Sequence, residues 1–123
     1  MSLISIIFAT IVGVEALGIM LMEMFFSPAQ LAKEFDLPNE FTVQHEAKVL
    51  MANQGLYNGF VGVMTLLAVY AFPIDARYIT TLACIIFVVI AAVFGAISGS
   101  KPKILLMQGT PAIVTLIILV VFK

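Results

Sequence analysis

The chain has 123 residues, 63% hydrophobic and 11% charged, with six Lys and Arg against seven Asp and Glu for a formal net charge of −1. A soluble domain of this size needs far more polar surface, and no basic patch is present to hold nucleic acid, which is not an expected partner. With a mean hydropathy of +1.17, the composition is that of an integral membrane protein surrounded by lipid.

Four apolar runs follow one another at about 3–26, 47–72, 78–98 and 104–122. Each is close to the roughly 20 residues that cross a bilayer core as a helix. The expected fold is therefore all-α: one domain over 1–123, an integral membrane four-helix transmembrane bundle, placed as a multi-pass protein of the cell membrane. The first run reads as a permanent helix, because residues 1–8 carry no Lys or Arg and no small-residue cleavage site follows. In the connection after it, Ser27-Pro28 supplies a helix cap followed by proline at the first helical position. Leu31 and Phe35 then fall on one face, with Gln30, Lys33 and Glu34 elsewhere, which predicts a short interfacial helix over 28–35.

Pro38 and Asn39 end that helix, Pro73 ends the second run, and Asp75-Ala-Arg77 reads as a tight link into the third. Ser100-Lys-Pro-Lys103 joins the third run to the fourth. Four spans place both termini and the Asp75 link on one side. Lys33, Lys48, Lys101 and Lys103 lie on the other side, against Arg77 and Lys123, so positive-inside bias sets the long connection in the cytoplasm and the termini outside.

Polar residues inside the runs carry the functional expectation, since such side chains are costly in hydrocarbon. Counted inward from the side of the long connection, Glu23 falls near the surface and Gln108 roughly 6 Å deep, while Asn53 and Gln54 fall roughly 10 Å deep and Glu15, Tyr57 and Asn58 roughly 15 Å deep. The other half offers little beyond Ser5, Thr10, Thr65, Thr80, Thr81 and Thr115. Such asymmetry predicts a polar cavity open on one side. Asn53 with Tyr57, and Gln54 with Asn58, are spaced four apart and form one stripe on the second helix. Glu15, Ile19, Met22 and Glu23 share a face of the first. The expected ligand-binding set is thus Glu15, Glu23, Asn53, Gln54, Tyr57, Asn58 and Gln108, with Asn58 and Tyr57 donating to Glu15 and with Glu23 hydrated or paired with Lys48.

Gly55 with Gly59, and Gly95 with Gly99 and Ala91, form small-residue strips expected to pack helices within the chain or against a second copy in a homo-oligomer. Pro111, early in the fourth run, would free a carbonyl near Gln108. Cys84 stands alone and His45 sits at the predicted surface, so no disulfide or metal cluster is expected, nor any cofactor.

The block Asn53-Gln-Gly-Leu-Tyr-Asn-Gly-Phe60 resembles the domain of unknown function 1304 family of small four-span bacterial membrane proteins. Glu15, Glu23-Met-Phe25, Phe35-Asp-Leu37 and Gln108-Gly-Thr-Pro111 extend the resemblance in order along nearly the whole chain. It implies the four-span fold and no particular activity. Where the family pattern carries a histidine directly after the first glutamate, this chain has Ala16, so no Glu-His pair is implied here.

Three functions compete. The first is binding or transport of a small amphipathic or cationic molecule at Glu15 and the amide stripe. The second is a noncatalytic subunit or scaffold docked on another membrane protein. The third is an intramembrane enzyme modifying a lipid or quinone, with Glu15 or Glu23 as acid or base; a noncatalytic role is favoured over it.

Overall fold

The computed structural model describes residues 1–99, 103 and 105–123, and among them every regular element is helical. Most of the predicted 100–103 link, and the start of the fourth run at 104, lie outside the described residues. Helix α1 spans Leu3–Phe25, α2 Pro28–Glu34, α3 Asn39–Thr42, α4 His45–Tyr70 and α5 Ile74–Ser98. A π-helical segment at Leu105–Gly109 leads into α6, Thr110–Phe122. Helices α1 and α5 are long and apolar enough to cross a membrane, and a shorter apolar helix covers 106–122. Helix α4 has the length, but its amides and glycines dilute its apolar character.

Local chemistry explains the boundaries. The Ser2 hydroxyl accepts from the Ser5 N–H at 3.2 Å and starts α1. Ser27 and Gln30 form a reciprocal capping box at the start of α2. That helix ends in a left-handed residue, Asp36 at φ 54°, and Leu37 N–H reaches back to the Ala32 carbonyl at 2.9 Å. Such a pairing closes a helix by satisfying its orphan carbonyls. Helix α3 was not foreseen in the sequence; four residues are too few to show a period.

The expected Asp75 to Arg77 link is instead the first turn of α5. Asp75 sits where the helix dipole favours an acid, while Arg77 Nε donates to the Phe72 carbonyl at 2.8 Å and covers the end of α4. Charge in so short a stretch suggests a loop, but here Arg77 covers the end of α4 and Asp75 lies in the first turn of α5 without a side-chain cap bond. In the fourth run, Pro111 has no N–H for the carbonyl of Met107, and the chain widens into π geometry just before the proline.

The four long helices form a ring in the order α1, α4, α5, α6, each packed on its two neighbours, with α1 and α4 making the most extensive contact. The N–H of Ser2 donates to the Lys123 carbonyl at 2.8 Å, which joins the two termini at one end of the bundle. Near that end Val12, Ile85 and Leu119 form a dry core. Ser5, Thr65, Thr81 and Thr115 are fully buried around it. Thr65 and Thr115 return their hydroxyls to carbonyls of their own helices, Val61 and Pro111, a pattern that hides polarity within the helix. This end is packed shut.

Glycine sets the register of α1 on α4. A Cβ at Gly62 would lie 2.8 Å from the Gly13 carbonyl, one at Gly59 would strike the Met20 side chain, and one at Gly55 would lie 2.9 Å from Glu23 Cβ. The Gly55 and Gly59 strip therefore packs within the chain, extended by Gly62 and met by Gly13, two contributors that the four-residue spacing missed. In this register Glu23 is level with Gln54 and Asn58, and α4 begins about two turns beyond the end of α1, roughly 12 Å at the helical rise. Depths counted from the ends of the apolar runs assumed flush helices. The polar stripe consequently lies opposite the end of α1 rather than opposite Glu15.

Candidate functional site

The seven expected site residues divide into two clusters and two outliers. In the first cluster Glu23, only 2% exposed, accepts hydrogen bonds on both carboxyl oxygens. Gln54 Nε2 donates to Oε2 at 2.7 Å and Asn58 Nδ2 to Oε1 at 2.5 Å. Gly55 makes the geometry possible, because only a hydrogen at that position lets the Glu23 stem lie flat against α4. Glu23 is thus neither hydrated nor paired with Lys48, as the sequence reading had it. It is an interhelical clasp whose acceptors are satisfied.

The second cluster surrounds Glu15. A partly open cavity of about 60 Å³ lies between the helices, lined by Val12, Glu15, Ala16 and Ile19 of α1, Asn58 and Val61 of α4, Phe87, Val88 and Ala91 of α5, and Gln108 of the π segment. Three side chains from the expected set, Glu15, Asn58 and Gln108, therefore meet at one cavity, with an otherwise apolar wall. The expected donation from Asn58 and Tyr57 to Glu15 does not occur. Asn58 gives its amide to Glu23, and Tyr57 is 63% exposed, set edge-on to Phe60 at 6.1 Å between centroids. Among the described residues no hydrogen bond reaches the Glu15 carboxyl group. Asn53 is exposed as well and lines neither cluster.

Glu15 also borders a second, shallower groove of about 360 Å³ with Gly18, Ile19, Met22 and Met107. The α1 members of this groove are spaced three and four apart and so lie along one helix face. Met107 and Gln108, adjacent in the π segment, line the groove and the cavity respectively. Gly18 carried no signal in the sequence, because it belongs to no small-residue strip; its role is visible only once the π segment lies opposite. Phe87 and Val88 were likewise indistinguishable from ordinary lipid-facing or core residues, and Ala91 was marked only as part of a helix-packing strip.

The chemistry available is that of a carboxylate without a donor, two amides, and an apolar enclosure. Among the described residues no three His, Cys, Asp or Glu side chains gather closely enough to hold a metal ion. Cys84 is buried and unbridged, and His45 is exposed at the start of α4.

Comparison with known proteins gives a consistent family signal. The chain is 29% identical over 118 residues to the "Uncharacterized protein YpaA" of Lactococcus lactis subsp. lactis (strain IL1403), covering 95% of this chain and 97% of that protein. No solved structure matches. The family described as "Protein of unknown function (DUF1304)" matches residues 10–120, a stretch that contains both glutamates, the amide stripe and Gln108, and this chain belongs to that family.

Proposed function

We propose that this protein is a four-span integral membrane protein of the cell membrane that binds, and transports, a small amphipathic or cationic molecule at Glu15. The observation that carries the reading is the contrast between two carboxyl groups on one helix: buried Glu23 accepts from two amide donors, whereas half-buried Glu15 borders a cavity and accepts from none among the described residues. A carboxylate in a low-dielectric wall is costly without a partner, and a bound cation, like a proton, offsets the cost.

Support for a lipid surround comes from the outer surface. Phe94 and Ile97 on α5 are 70% and 75% exposed, and Ile7, Ile11 and Val14 on α1 are exposed in helical sequence. Apolar side chains in such density are stable facing lipid tails and not water. Helices α4 and α6 complete the four spans, with α2 lying at the interface. The long connection, with Lys33 and Lys48, is placed in the cytoplasm and the joined termini outside.

The test uses purified protein in lipid vesicles, with ammonium, tetramethylammonium and choline as probe cations. Glu15→Gln abolishes binding and flux with helicity unchanged, while Glu23→Gln retains a measurable fraction. Unaltered binding by Glu15→Gln would remove the reading.

A second reading concerns assembly. Gly99 on α5 is exposed and Gly95 is half-buried, so this part of the small-residue strip is largely unused within the chain, while Ala91 lines the cavity. A second copy packed along α5 would use it. Crosslinking in native membranes tests this: a dimer lost on Gly99→Leu supports it, and a monomer at all protein densities removes it.

A further inference from the structure

Glu15 stands in the wall between two spaces of different character, and that position restricts what it binds. The inner cavity, about 60 Å³, is of the size filled by a few water molecules or one compact head group. The outer groove is wider, and apart from Glu15 its lining is apolar. It runs along two turns of α1 from Glu15 to Met22 and is closed on the other side by Met107. Methionine side chains, unbranched and polarizable, adapt to tails of varied shape.

Gly18 forms the floor of this groove. A Cβ built there meets nothing within 4 Å, so the absence of a side chain is not required by helix packing. Glycine in a helix interior costs about 1 kcal/mol relative to alanine. Here it leaves open space in the groove that Glu15 borders, in contrast to Gly13, Gly55, Gly59 and Gly62, where a neighbouring helix fills the position.

We infer that the ligand of this site is a compact primary ammonium ion carrying a short linear apolar tail, which reaches Glu15 sideways through the groove between α1 and the π segment. This rests on Glu15 being the ligand carboxylate. The ammonium group occupies the inner cavity, where its three N–H donors match Glu15 and the amide oxygens of Asn58 and Gln108. The tail lies over Gly18 against Met22 and Met107. An anionic amphiphile of the same length is repelled by the carboxylate and does not bind.

The experiment is calorimetric titration of the full-length protein in lipid nanodiscs, with empty nanodiscs subtracted, using methylammonium, n-pentylammonium and pentanoate. The wild type prefers n-pentylammonium over methylammonium by about tenfold or more, since several methylenes become buried in the groove, and ignores pentanoate. Gly18→Leu fills the groove, reducing that preference to near unity while methylammonium binding persists. Because position 18 faces open space, this variant keeps the bundle, which circular dichroism verifies. Glu15→Gln loses both cations. Equal affinity for the two cations in the wild type, or a pentyl preference that survives Gly18→Leu, overturns the tail-binding groove and leaves the Glu15 site standing. Failure of the wild type to bind either cation overturns the groove and the underlying reading together.

Discussion

At the scale of single residues, the two glutamates of α1 illustrate how position in a packed bundle decides a role that residue type does not. Glu23 spends its acceptors on Gln54 and Asn58, so removing it leaves without that acceptor two amides, one half-buried on Asn58 and one exposed on Gln54. Glu23→Ala should therefore destabilise the bundle by about 1–3 kcal/mol. Asn58→Ala should cost less, because Gln54 remains. A double-mutant cycle on Glu23 and Asn58, read by reversible unfolding in mild detergent, should give a coupling of about 1 kcal/mol; additive effects would show that the clasp contributes nothing beyond packing. Glu15→Gln, by contrast, removes no hydrogen bond found in the structure and should leave unfolding unchanged within about 0.5 kcal/mol. The sequence marked both carboxyl groups and the amides as special but paired the wrong partners. The cause was one number, the offset between α1 and α4, which depends on Gly13 and Gly62 and not on where the apolar runs begin.

Elements tell a related story about how glycines hold helices. Gly59 and Gly62 both face α1, yet their neighbours differ in kind: a Cβ at Gly59 meets the Met20 side chain, whereas one at Gly62 meets the Gly13 carbonyl at 2.8 Å. A thioether can rotate away, but backbone cannot move without displacing the helix. Gly62→Ala should thus cost about 1–3 kcal/mol and separate α1 from α4, while Gly59→Ala should be distinctly milder. Thermal unfolding of the two variants side by side checks the order, and a larger loss from Gly59→Ala would contradict the packing account. Helix existence and type were legible from apolar run length, and the α2 cap from Ser27-Pro28. The start of α5 was not, because Asp75 sits in a first helical turn, where the helix dipole favours an acid, and Arg77 covers the end of α4. The π segment was foreshadowed only by Pro111; that its neighbours Met107 and Gln108 line two different surfaces follows from where the segment packs against α1 and α5.

For the whole molecule, the ring of four helices has one end packed around Val12, Ile85 and Leu119 and a cavity further along its axis. Hydrogen bonding joins the termini at the packed end, so topology can be read from either terminus. With Cys84 replaced by serine, Lys123→Cys in intact cells should react with a membrane-impermeant maleimide, and Glu40→Cys should react only after the membrane is opened. The reverse pattern would invert the proposed orientation without altering the bundle. Composition alone conveyed helices long and apolar enough to cross a membrane, whereas the site depended on bringing segments far apart in sequence, such as those carrying Glu15 and Gln108, to one cavity, which no local pattern encodes.

Two carboxyl groups on one helix differ in availability, Glu23 bonded to two amides and Glu15 beside a cavity, and a lipid-soluble carbodiimide reports on that difference directly. Dicyclohexylcarbodiimide added to the protein in nanodiscs, followed by mass-spectrometric mapping of the adduct, should modify Glu15, be slowed by n-pentylammonium, and leave Glu23 untouched beneath its two amides. Modification at Glu23 with Glu15 unreactive would contradict that difference in availability.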